Sequence, residues 1–405
     1  MLGIVLVLAC SKSVETAPPA ETGTSPTESE PTTSACEGVS AAIAPPRGEM
    51  QGVWDDVRRR FVWFGGDAGQ PDNCVTQTDF VGDTWAFLAD CDAFEELATG
   101  DAPGPRGRQG VALDRDGNRM IVHGGRFRDG TSGDYEVLTD LWAFDLTTDT
   151  WTELPSAGGP APRHSHVAWS AGGVFYVYGG NASNDGAFYI PLDDLWAYDL
   201  TGGEWTELSK GPGERIFAAG DVSADGQTLY IYGGTEDFFG PTVGDLWAYD
   251  VGSDAWTELH DGSGSAPVER FGPSLAYDPA GDALFLFAGH DTTDLGNTNQ
   301  LWSFSLASGS WTELSEGDVV DAGGNGFCDF PADFTDPDLG SPERRYLGAA
   351  VTAADGELFI FGGKSDCGVL NDVWSWSGGA WTERSSATSG EICLRAFTEC
   401  STMCY

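Results

Sequence analysis

The stretch Asp194–Leu208 reads DLWAYDLTGGEWTEL, and near copies flank it: DLWAFDLTTDTWTEL from Asp140 and DLWAYDVGSDAWTEL from Asp245. Each holds two short runs of alternating character around aromatic residues, split by a polar turn. That pattern predicts two antiparallel strands with one buried face. Weaker copies extend the series. DTWAF (83–87), QLWSF (300–304) and DVWSW (372–376) match the first run; FEEL (94–97) and the WTEL or WTER segments at 311 and 381 match the second. The pair is therefore written six times.

Working toward the N-terminus of each copy, a variable loop is preceded by a strongly apolar run that ends in a glycine pair or its relative. The six runs are FVWFGG (61–66), MIVHGG (120–125), FYVYGG (175–180), LYIYGG (229–234), LFLFAG (284–289) and LFIFGG (358–363). Before each comes a tight turn, a further strand-like run and an opening Arg. A period of roughly 51–59 residues, stretched to about 70 between the last two copies, with four strands in each, describes the blades of a propeller. The glycine pair, the third-strand aromatic and the fourth-strand Trp together resemble the kelch-repeat family, from Pro46 to about Arg384. The resemblance implies an all-β, six-bladed kelch-type β-propeller with four antiparallel strands per blade. The blades are expected at 46–97, 103–154, 160–208, 212–259, 267–314 and 342–384. For activity the resemblance implies little, because one scaffold hosts unrelated functions.

Of the 15 Trp, six stand in the third-strand position and five in the fourth. Repetition at that level predicts that they fill the wedges between blades. The same logic applies to Arg47, Arg106, Arg163, Arg215, Arg270 and Arg344, one opening each blade. They are expected to pair with repeated acids such as Glu153 or Glu207. DRDGN (114–118) has the look of a calcium loop, but ADG at 224–226 and 354–356 occupies the same place in other blades, so a two-residue hairpin turn is expected there.

The 405-residue chain carries 63 acidic and 20 basic residues, a formal charge of −43. That excludes nucleic acid as a partner and docking on anionic lipid headgroups. The first ten residues, MLGIVLVLAC, resemble the end of a bacterial lipoprotein signal with Cys10 as the lipidated residue, which implies a chain tethered at the outer membrane or cell surface, or otherwise secreted or periplasmic. Residues 11–44 are Ser, Thr, Pro and Glu with few core formers and read as a tether. Eight further Cys suit disulfides in an oxidising compartment. Cys74, Cys328 and Cys367 fall at one end of the ring, and Cys393, Cys400 and Cys404 in a tail over 385–405 that can strap its ends. Cys74–Cys367 and Cys328–Cys367 both remain open pairings.

Candidate chemistry concentrates in the loops after the second strands (67–82, 126–139, 181–193, 235–244, 291–299 and 364–371) and in the insert 315–343, all at one end. Long, diverse loops on one face of a rigid scaffold form a recognition surface. Phe127, Tyr135, Phe188, Tyr189, Phe238 and Phe239 are the exposed-aromatic candidates, set among Asp and Asn. The sequence thus predicts a module that binds a protein partner, with a glycan as the second choice. The alternative is a carbohydrate-binding or sugar-modifying enzyme at the channel mouth, oxidase- or mutarotase-like by resemblance to other kelch proteins. No catalytic constellation supports the alternative: there is no G-x-S-x-G elbow, and His164 and His166 have no Cys beside them to complete the oxidase ligand set. No cofactor or metal site is expected.

Overall fold

The computed structural model describes residues 36, 42–70, 77–97, 100–186, 188–237, 240–291, 296–320, 335–336, 338, 340–365 and 368–388. The chain divides into two units, Met1–Glu37 and Gly38–Tyr405. In the first, Cys36 is the described residue, and it is disulfide-bonded. Cys10 and most of the proposed tether lie outside the described residues.

The second unit is a six-bladed β-propeller, with four antiparallel strands in each blade and a short fifth, Arg270–Phe271, on the sheet of blade 5. Blade 1 is Gly52–Asp55, Arg60–Phe64, Thr84–Leu88 and Ala93–Glu96; blade 3 is Val167–Ala171, Val174–Tyr178, Leu195–Asp199 and Trp205–Glu207. Blade 6 ends the ring with Ala349–Thr352, Leu358–Ser365, Gly368–Ser377 and Ala380–Ser385. All pairings are antiparallel; in blade 3 Phe175 faces Tyr198, which faces Trp205. Second strands are buried on both faces, as in Arg60–Phe64 and Leu358–Ser365, which explains their unbroken apolar runs.

The wedges between blades are filled as the repeats predict. Trp205 packs on Tyr198 of its own blade and on His123 of blade 2, with ring centroids 5.0 and 5.5 Å apart. Trp151 does the same against Phe144 and Phe64 of blade 1, both at 5.0 Å. Trp311 and Trp381 repeat the arrangement on Tyr232 and Phe287.

Among the described residues no strand is exchanged between the ends of the propeller. Blade 6 meets blade 1 through side chains: Trp63 stacks on Phe361 at 4.0 Å and Trp54 on Phe359 at 4.9 Å. Arg384 donates to Asp92 and to the Ala89 carbonyl, both at 2.6 Å. Asn371 donates to the Ala44 carbonyl at 2.9 Å.

The first hairpins differ from expectation. Asp114 pairs with Arg119, so the DRDGN loop has four residues, and Asn118 rather than Gly117 takes the left-handed conformation (φ 47°). The Asp114 carboxylate accepts from the Gly117 amide and binds Arg119, which makes a wider loop stable. Of these hairpins blade 3 has a two-residue turn, Gly172–Gly173, both with positive φ.

Candidate functional site

The opening arginines are the joints of the ring. Arg163 is fully buried and grips Asp194 end-on, Nη1 to Oδ1 at 2.6 Å and Nη2 to Oδ2 at 2.8 Å. Its Nη1 also donates to the Gly179 carbonyl at 2.9 Å, and the Trp196 indole donates to Asp194 at 2.8 Å. The same unit recurs as Arg47–Asp83, Arg106–Asp140, Arg215–Asp245 and Arg345–Asp372. Burial alone would raise the carboxyls of Asp83, Asp140, Asp194 and Asp245; the Arg and Trp donors override it and hold them below the usual range.

Two expectations are corrected here. The acid is the Asp of Asp-x-Trp, not Glu153 or Glu207, because it alone sits beside the glycine carbonyl the same guanidinium must reach. In blade 6 the joint is Arg345; Arg344 turns toward Asp318 of the insert, 3.6 Å away. Blade 5 breaks the rule. Gln300 replaces the Asp and accepts from Arg270 at 3.0 Å, and the Trp302 indole has no acceptor among the described residues.

Two residues after each joint the chain enters the left-handed region. Glu49, Arg108, Ser165, Phe217, Gly272 and Leu347 all have φ between 52° and 61°. Their backbones form a closed circle. Each amide donates to the carbonyl of its counterpart in the preceding blade: Arg108 to Glu49 at 2.7 Å, Ser165 to Arg108 at 2.8 Å, Phe217 to Ser165 at 3.1 Å, Gly272 to Phe217 and Leu347 to Gly272 at 2.8 Å, and Glu49 to Leu347 at 2.9 Å. Five of the six are not glycine, at a cost of roughly 1–2 kcal/mol each. The circle rims the channel at the loop face, around a cavity of about 50 Å³.

A charge cluster lies at one side of this rim. The Glu49 carboxylate, 1% exposed, accepts from Arg108 at 2.7 Å, Lys364 at 2.9 Å and Arg126 at 3.2 Å. Lys364 also bonds Asp67 at 3.0 Å. Burial would raise the Glu49 carboxyl, but Arg108, Arg126 and Lys364 together hold it well below the usual carboxylate range. Three cations against two carboxylates leave an excess of one positive charge. The Arg108 side chain is 12% exposed, and its Nε and Nη1 have no hydrogen-bond partner among the described residues.

The aromatic candidates separate. Phe188 is 73% exposed, with Ile190 beside it at 55%. Tyr189 is half-buried and meets the Phe217 ring edge-on at 6.1 Å. Tyr135 is a correction: it is 7% exposed, with the guanidinium carbons of Arg126 and Arg128 lying 4.0 and 4.3 Å from its ring centre. Phe127 is half-buried and, like Tyr135, meets Phe80, in a short hairpin that folds back on blade 1. Phe238 and Phe239 lie outside the described residues, as do Cys74, Cys328, Cys367, Cys393, Cys400 and Cys404. Cys91, which sequence reasoning counted but did not single out, is disulfide-bonded.

The sequence reading missed the rim and the Glu49 cluster. One signal was available: the position two past the joint Arg differs in all six blades, being Glu, Arg, Ser, Phe, Gly and Leu. His123 and His166 are brought together between blades 2 and 3, Nδ1 to Nε2 at 3.2 Å, both buried. His123 occupies the slot that Phe or Tyr fills in the other blades, which explains its edge-on packing with Trp205. Among the described residues no three of His, Cys, Asp and Glu gather so as to hold a metal ion.

Comparison with known proteins bears on this geometry. The model of the KLHDC2/KLHL20/DRC7 Kelch-repeats domain matches residues 54–263 and 226–405. Human Kelch domain-containing protein 10 is 25% identical over 288 residues, covering 67% of this chain and 58% of that protein. Kelch domain-containing protein 3 of Rattus norvegicus is 29% identical over 207 residues, 47% of this chain and 49% of the relative. The Leucine-zipper-like transcriptional regulator 1 homolog of Drosophila melanogaster is 25% identical over 242 residues, 58% of this chain but 23% of its own length. The chain thus spans between about a quarter and three-fifths of these relatives. With the family model matching most of the propeller, and its glycine pairs, joints and wedge tryptophans in place, the chain belongs to the kelch-repeat family.

Proposed function

We propose that the propeller is a protein-interaction module that binds its partner on the loop face and seats an acidic group of that partner at the channel mouth. The observation that carries this reading is Arg108. One of its amino groups is spent on Glu49, and two further donors, Nε and Nη1, are buried without a partner among the described residues, on a side chain that lines a cavity. A nearly buried guanidinium with unpaired donors is completed by an acceptor, and the strongest is a carboxylate. The local excess of positive charge stands out in a chain of net −43, so it attracts acidic groups to one place while the rest of the surface repels them. The exposed Phe188 and Ile190 supply apolar contact at the rim.

The disulfide bonding of Cys36 and Cys91 supports an oxidising compartment. The apolar leader ending at Cys10 supports attachment through a lipid.

Selection of a random dodecapeptide phage library on the full chain tests the reading. Enrichment of Asp or Glu at one peptide position, lost when Arg108→Gln is the target, is expected. Peptides without acidic preference, or the same preference on both proteins, would overturn it.

A further inference from the structure

The six blades are built alike, yet the two residues after each joint divide the mouth into unlike halves. They are Gly48–Glu49 in blade 1 and Gly107–Arg108 in blade 2, small residues followed by charge. They are His164–Ser165 in blade 3. In blades 4, 5 and 6 they become Ile216–Phe217, Phe271–Gly272 and Tyr346–Leu347. Equivalent positions hold the same place on the ring, so the sequence difference is a spatial one.

The rings of this second half form an arc. Tyr189 meets Phe217 at 6.1 Å, Phe217 meets Phe271 at 5.8 Å, and Phe271 meets Tyr346 edge-on at 6.1 Å. Tyr189, Phe271 and Tyr346 keep part of their surface open, while Phe217 forms the base at 7% exposure. Gly272 matters to the shape: a Cβ on it would stand 3.0 Å from the Leu347 side chain and 3.3 Å from the Tyr346 ring, so its lack of a side chain lets both pack in close, and Phe217 and Leu347 line the same cavity as Arg108. The arc and the charge cluster touch at one point, where the Arg108 guanidinium carbon lies 4.7 Å from the Phe217 ring centre. A ligand group that reaches the unpaired donors of Arg108 therefore lies against the edge of the aromatic arc.

We propose that the mouth is a two-part site that recognises a peptide segment in which an apolar side chain, aromatic or large aliphatic, stands directly beside the acidic group. Phe217, Phe271 and Tyr189 are the residues that set this preference. The inference rests on the acidic-group reading above and adds to it a second subsite. Partly exposed rings beside a cavity accept a flat or branched apolar group. The adjoining guanidinium fixes its neighbour, and the exposed Phe188 and Ile190 extend the apolar side outward.

The test uses the acidic peptide selected on the full chain, resynthesised as two versions that differ at the residue flanking the acid, Phe in one and Ala in the other. Affinities are measured by fluorescence anisotropy. The Phe version is expected to bind at least about tenfold more tightly, in line with the loss of one anchoring side chain. That advantage should shrink to within about threefold on Phe271→Ala and on Tyr189→Ala. Both substitutions are at half-open positions, and a thermal melt of each variant identifies any that is unfolded. Phe217→Leu, which keeps an apolar base, should lower the affinity of the Phe version while leaving the Ala version unchanged. Equal affinity of the two versions, or an advantage that survives both alanine variants, overturns the second subsite and leaves the acidic-group reading standing. Selection of no acidic peptide at all removes both.

Discussion

A single residue, the joint Arg, does three things in five of the six blades. It closes its own third strand through Asp, caps a glycine carbonyl, and offers its backbone carbonyl to the preceding blade, as Arg163 does to the Gly125 amide at 3.0 Å. Removing its partner leaves a buried cation unpaired, so Asp194→Ala should cost about 3 kcal/mol in urea denaturation. Blade 5 offers the reverse experiment. Gln300→Asp gives Arg270 a charged partner and the Trp302 indole an acceptor, as in the five other blades. A gain of about 1 kcal/mol is expected; a loss would mean that the Gln300–Glu313 bond, at 3.1 Å, matters more than the ion pair.

The end of each second strand is where blades interlock. Gly179 has φ 66°, and a Cβ on it would stand 2.8 Å from the Arg215 carbonyl of the next blade. Gly180, at φ 92°, then donates its amide to that same carbonyl at 2.7 Å. The glycine pair is required twice, for its conformation and for this approach. Gly180→Ala should therefore destabilise by about 2 kcal/mol or more, since its Cβ would also meet the His164 carbonyl at 2.7 Å. Ala288 fills the first glycine position of blade 5 at φ 62°, so Ala288→Gly is expected to be neutral or stabilising. Thermal melts of both variants check the contrast.

Acid should loosen the whole ring in two stages. Burial, with Arg163 and Arg106 close by, pushes His123 down to about 3, and burial with His123 and Arg163 holds His166 well below its ordinary value. A buried neutral His loses stability as pH falls below the unfolded value near 6.5, because the unfolded chain takes up protons that the folded one refuses. At pH 5 the loss is roughly 2 kcal/mol for each such imidazole. The joint carboxylates, whose values are lowered, contribute stability that disappears only below about pH 4. His123→Phe, which restores the aromatic of the other blades, should make the limb between pH 7 and 5 shallower by about one imidazole's share, since His164 and His166 remain, and leave the lower one intact. A pH series of urea midpoints separates the two. With 63 acidic residues against 20 basic, the ring also repels itself. Raising salt from low to physiological strength is expected to increase the melting temperature.

Much of this molecule is written in its repeats. DLWAYDLTGGEWTEL and its relatives determine strand number, blade number, wedge tryptophans and glycine pairs, because a residue that recurs at one position in every blade answers a demand the ring makes six times. The exposed loop aromatics were legible only in part: Phe188 is open, while Tyr135 is held between two arginines that come from its own hairpin. The joints needed a partner that sequence spacing could not choose, since several acids recur with the same period and only the fold shows which one faces the guanidinium. Glu49, Arg126 and Lys364 come from blades 1, 2 and 6, and Glu49 and Lys364 are 315 positions apart. Their meeting is decided by closure of the ring. A repeat determines what each blade is; which unlike residues face each other across the channel depends on the circle those blades make.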